Sequence, residues 1–196
     1  MDYFISFGSN ALHYGEVTED DERTWLFFPV AKEYMLEQCN LIEKAFQEGL
    51  ADKLLYIGSI LQIAQHTTDT KVRIVMLTSI IELLLTHNPA TNRFNVDDSI
   101  NKQFQLKTSI LVYLSDKSKD INVIRKRLQT IYQQRSNVAH GNFGELEKYA
   151  RGLPKNKKKE SKETLGDLVG DLYTYLRAIL EMYLRDRQFV EFIKDV

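Results

Sequence analysis

The stretch Ile74-Val75-Met76-Leu77-Thr78-Ser79-Ile80-Ile81-Glu82-Leu83-Leu84-Leu85 constrains this chain more than any other. As a helix it is apolar on nearly every face. Such a helix is stable only when other elements cover all its sides. The rest of the chain must therefore supply a shell, and its patterning supplies one made of helices.

Residues 30–48 repeat apolar side chains at helical spacing (Val30, Tyr34, Leu41, Ala45), and Gly49 follows as a stop. Residues 51–65 repeat Leu54, Leu55, Ile57 and Leu61. The central helix is predicted over 70–86, with Asp69 as its N-cap. Two more helices are expected at 99–115 and 120–139, parted by SDKSKD. A last one is expected over 163–190, on the stripe Leu165, Leu168, Val169, Leu172, Leu176, Ile179, Leu180, Tyr183. Thr164 and Asp167 resemble a capping box there. Segment 87–98, with Pro89, reads as a loop. The fold class is all-α, a bundle of about six helices. Residues 1–28 read as a small N-terminal appendage with a short strand at MDYFISF and, at Trp25–Phe28, a second short strand or an anchor that packs on the helices, and 29–196 as the helical domain.

The formal net charge of −1 argues at first against a nucleic-acid partner. The average hides a segregation. Residues 101–162 hold 15 Lys/Arg against 5 Asp/Glu, and the remainder 11 against 22. The basic stretch includes Lys155, Lys157, Lys158, Lys159 and Lys162, a run too polar to pack that reads as a solvated loop or as an electrostatic guide for RNA. The single cysteine, Cys39, excludes an intramolecular disulfide and suits a reducing compartment. No apolar run reaches the ~18 residues of a membrane span, and the N-terminus lacks a basic leader, so the expected location is cytoplasmic, with no membrane partner. Dinucleotide, P-loop, zincin and hydrolase-elbow motifs are absent, and His13, His66 and His87 have no ligand spacing. No metal and no cofactor are expected.

The chemistry concentrates in residues 120–143, DINVIRKRLQTIYQQRSNVAHGNF. The stripe Ile121, Ile124, Leu128, Ile131 points next to position 135, where Arg135 stands. A guanidinium beside a core face needs a carboxylate, a subunit interface or an anion. His140 falls at the helix end, before Gly141. The negative end of the helix dipole favours imidazolium there. A histidine titrating near neutrality and an arginine one turn away can cleave RNA without a metal. The base takes the 2′-hydroxyl proton and cations hold the charge that develops on phosphate. Glu82, the sole acid of the apolar helix, either pairs with Arg135, braces the His140 loop, or reaches water at a helix edge.

Three pieces in order, LTSIIELLL (77–85), FQLKTSILVYL (104–114) and IYQQRSNVAHG (131–141), resemble the HEPN superfamily, and within it the Apea-like HEPN domains. The resemblance spans about residues 70–185. It implies a helical bundle that dimerises, with the R-x4-H ends of two subunits in one cleft. It also implies a metal-independent endoribonuclease of toxin–antitoxin or phage-defence systems, with an antitoxin or regulatory protein as a further partner. Arg135 and His140 match the two motif residues. Ser136 departs from the Asn, Asp or His of the wider superfamily and is similar to the Apea-like subgroup; Ser136 and Asn137 are expected to assist. Because the superfamily also has binding-only members, the rival expectation is a non-catalytic dimeric module that binds RNA or a protein.

Overall fold

The computed structural model describes residues 3–8, 11–16, 36–87, 99–152 and 164–196. The chain divides into two compact units, residues 1–55 and 56–196.

In the first unit, β1 (Tyr3–Gly8) and β2 (Ala11–Glu16) form an antiparallel hairpin in the register Tyr3↔Glu16 to Gly8↔Ala11. The first expected strand is present. Its partner is β2, and the second expected strand, at 25–28, lies outside the described residues. Helix α1 (36–47) ends at Gly49, whose φ of +80° is the left-handed conformation that glycine adopts without a Cβ penalty. The next helix, α2 (Ala51–His66), runs across the division between the units.

The second unit is entirely helical among its described residues. It continues with α3 (Thr70–Leu85), α4 (Ile100–Ser115), α5 (Ile121–Ala139), α6 (Phe143–Gly152), α7 (Leu165–Arg185) and α8 (Arg187–Asp195). Helix α3 is the hub: α4, α5, α7 and α8 all pack on it. Ile74, Leu77, Thr78, Ile80, Ile81, Leu84 and Leu85 are buried along one broad face of it, while Val72 and Leu83 on the other side stay exposed, so α3 is not covered on every side as its composition suggested. Facing them are Phe104 and Leu111 of α4, Leu128 and Ile131 of α5, and Leu172, Ile179 and Tyr183 of α7, all fully buried. Asp69 caps α3, accepting from the Lys71 amide at 2.8 Å. Thr164 donates to the Asp167 carboxylate through its backbone N–H and, at 3.0 Å, through its hydroxyl, which fixes the start of α7.

Two departures from the sequence-based expectation bear on the site. The last helix is not continuous to residue 190. It breaks at Asp186, which ends α7 and, accepting from the Phe189 amide at 3.1 Å, caps α8. Aspartate competes for backbone N–H groups and favours such caps over helix interiors. Secondly, α6 follows the motif directly, where no helix was expected. Its two terminal-turn glycines, Gly144 and Gly152, weaken the local signal. Among the described residues there are eight helices rather than about six.

The end of α8 is held by a polar clasp. The Lys107 ammonium, on a buried side chain, donates to the Lys194 carbonyl at 2.7 Å and to Gln103 Oε1 at 3.3 Å. His87 Nδ1 lies 2.7 Å from the same carbonyl. A cation on the last carbonyls suits the negative end of the helix dipole.

Arg127 of α5 bonds Asp171 of α7 at 2.5 Å, beside buried Tyr175. Burial, and then the Asp171 charge, push the Tyr175 phenol from 10.0 up to about 12, against the opposing pull of Arg127. Between those values the folded phenol keeps a proton that the unfolded one has lost. Its contribution is therefore complete below pH 10 and is lost as pH rises towards 12. Urea midpoints at pH 8 and 11 should fall for the wild type, and fall less for Tyr175→Phe.

Candidate functional site

Helix α5 carries the motif, and its end is built by the backbone. Ser136 carbonyl accepts from the His140 amide at 3.0 Å, Val138 carbonyl from Gly141 at 3.1 Å, and Asn137 carbonyl from Asn142 at 2.8 Å. The last two bonds are the Schellman pattern. Gly141 takes the left-handed position, φ +69°. A Cβ there meets no atom within 4 Å, so what favours glycine is backbone conformation and not space. His140 is the helix cap, as its spacing predicted, and its side chain is exposed. Among the described residues nothing hydrogen-bonds its imidazole.

Arg135 points the other way, to α3. Its Nη2 donates to Glu82 Oε2 at 3.0 Å, and the two side chains are 26% and 15% exposed. Of the three fates open to Glu82, the structure shows the pairing with Arg135. The Arg135 guanidinium also stands 5.6 Å from the Tyr132 ring centroid, and Tyr132 leans on buried Phe104 at 5.2 Å. Burial, and then the Glu82 charge, raise the Tyr132 phenol, which stays a neutral hydroxyl beside the pair. Arg135 Nε and Glu82 Oε1 are buried without a partner, so the pair is held by one bond where two could form. A quarter of the Arg135 side chain stays exposed.

The remaining expected residues are placed differently. Asn137 is buried, and its amide is taken up within α5: it donates to Gln134 Oε1 at 3.1 Å and accepts from Gln133 at 3.4 Å. Its carbonyl holds the turn that carries His140. Ser136 is half-buried and contributes its carbonyl to the same turn. Lys155, Lys157, Lys158, Lys159 and Lys162 lie outside the described residues. Two residues absent from the sequence reading stand at this end of the molecule, Lys71 and Phe143, with the ammonium 5.3 Å from the ring centroid. Only α6 and the fold bring them together, since 72 positions separate them in sequence.

Among the described residues no group of three or more His, Cys, Asp or Glu is placed to hold a metal, and no helix is long and apolar enough to cross a membrane. Cys39 is an exposed thiol. No family model matches the chain, and no curated protein or solved structure matches it.

The Glu82–Arg135 bond is partly screened by water, which limits its worth. A double-mutant cycle with Glu82→Gln and Arg135→Met, read by urea denaturation, should give a coupling of about 1 kcal/mol. Gly141→Ala should cost ~1 kcal/mol through its positive φ.

Proposed function

We propose that this protein is a metal-independent endoribonuclease of the HEPN type, acting as a homodimer in the cytoplasm and serving a toxin–antitoxin or phage-defence system. The observation that carries the reading is the exposed His140 at the cap of α5, little more than one turn after an arginine anchored by Glu82. The residues of the R-S-x-x-x-H-G ending support it further. In the reaction, the His140 imidazole takes the proton of a 2′-hydroxyl. The freed oxygen attacks the adjacent phosphorus, and Arg135 holds the phosphoryl oxygens as charge builds on them. The bond to the 5′ oxygen breaks and that oxygen is protonated, leaving a 2′,3′-cyclic phosphate and a 5′-hydroxyl end. Ser136 and Asn137 assist by holding the turn that presents His140, and Glu82 by steadying Arg135.

One observation favours a second reading. Arg135 already has a carboxylate partner, which is also what a purely structural arginine needs. On that reading the chain is a dimeric module that binds RNA or a regulatory protein without cutting.

Labelled RNA incubated with the protein in EDTA separates the two. Cleavage to cyclic phosphate ends should fall at least 100-fold in both Arg135→Ala and His140→Ala. Undiminished cleavage by His140→Ala would falsify the catalytic assignment. Changing Lys155, Lys157, Lys158, Lys159 and Lys162 together to Ser should weaken RNA binding and flatten its dependence on salt.

A further inference from the structure

We infer that Phe143 and Lys71 form a nucleotide-binding subsite beside His140, with the phenylalanine ring stacking on an unpaired base and the lysine meeting a phosphate of the same strand. This rests on the proposal that the protein acts on RNA.

Phe143 opens α6 and is 53% exposed, although it is among the largest apolar side chains of its unit. Its position is set by the backbone. Only Gly141 and Asn142 separate it from His140, and both belong to the hydrogen-bonded end of α5. Its own amide donates to the Gly141 carbonyl at 2.8 Å. The backbone therefore fixes Phe143 three residues after His140, at the start of α6. The backbone of Lys71 is fixed as well, because its amide donates to the cap of α3. Its ammonium lies 5.3 Å from the Phe143 centroid.

An aromatic ring held in solvent next to a cation is the arrangement that takes one nucleotide of a single strand. Every base has a π-face to stack, and the cation follows the backbone. Around the ring, Val72 beside Lys71 is also exposed, but Glu145 and Lys148 of α6 form an exposed ion pair, so charge borders the ring on the α6 side. The basic composition of residues 101–162 agrees with an anionic ligand. Because Phe143 follows His140 by three residues, the pair selects unpaired RNA near the point of cleavage.

The test measures binding of a 2′-O-methyl single-stranded oligonucleotide, which lacks the attacking hydroxyl, so cleavage does not enter. Phe143→Ala should weaken binding about tenfold. Phe143→Leu, which keeps the apolar bulk, should lose nearly as much, and Phe143→Trp should retain affinity and show quenched indole fluorescence on binding. Lys71→Ala should lower the slope of log affinity against log salt by about 0.7, one single-strand phosphate. A fully paired duplex should be indifferent to Phe143. Circular dichroism checks that each variant is folded. If the wild type binds and Phe143→Ala binds equally, the subsite is wrong while the RNA reading stands. If Phe143→Ala alters the oligomeric state in sedimentation and leaves RNA affinity alone, the ring belongs to an interface and the subsite is again wrong. If the wild type binds no RNA, both fall together.

Discussion

One ion pair ties the central helix of the helical unit to the helix that carries the motif. Helices α4, α5, α7 and α8 cover one broad face of α3, and Val72 and Leu83 stay exposed on the other. Glu82 cannot be covered in the same way, because a carboxylate withdrawn from water without a partner is costly. Arg135 supplies the partner at 3.0 Å. The buried stripe Ile124, Leu128, Ile131 turns α5 towards the core, and the ion pair continues that face at Arg135. With Arg135 facing α3, the backbone at the end of α5 presents His140 outward.

That division gives the two motif residues different surroundings. Arg135 is steadied by a carboxylate and by the Tyr132 ring. His140 has only its backbone fixed, by the three bonds that close the helix. A partly shielded, anchored cation and a solvated base are complementary parts for phosphate chemistry. On the proposed reading, the drier environment strengthens the cation, and exposure lets the imidazole exchange protons with water and substrate.

Periodicity made the helices legible. The bounds of α2, α3, α4 and α5 lie within one residue of those read from the spacing of apolar side chains. The step from Ile131 to position 135 also predicted that Arg135 would face inward, and it does. What the spacing missed was punctuation within polar sequence. Asp186 interrupts a run whose apolar positions continue on either side, and only its capping bond to Phe189 marks the break. Helix α6 is short and glycine-bounded, so its ten residues carry little pattern. The meeting of Lys71 with Phe143 was beyond reach, because it depends on how the start of α3 and the end of α5 are brought to one place. Asn137 shows the reverse limit. Its identity suggested a polar hand in the site, and its side chain is used up by two glutamines of its own helix.

The clasp on α8 has a consequence for how that helix is specified. Lys107 and His87 grip a main-chain carbonyl, so they are indifferent to which side chain residue 194 carries. Exposed positions such as Phe192 can vary without disturbing the grip. What it reads is a place on the helix and not a residue. One residue added to or taken from α8 brings the neighbouring carbonyl to that place, because every helix position presents one. The clasp therefore selects for a helix that reaches it and leaves the sequence of that helix free.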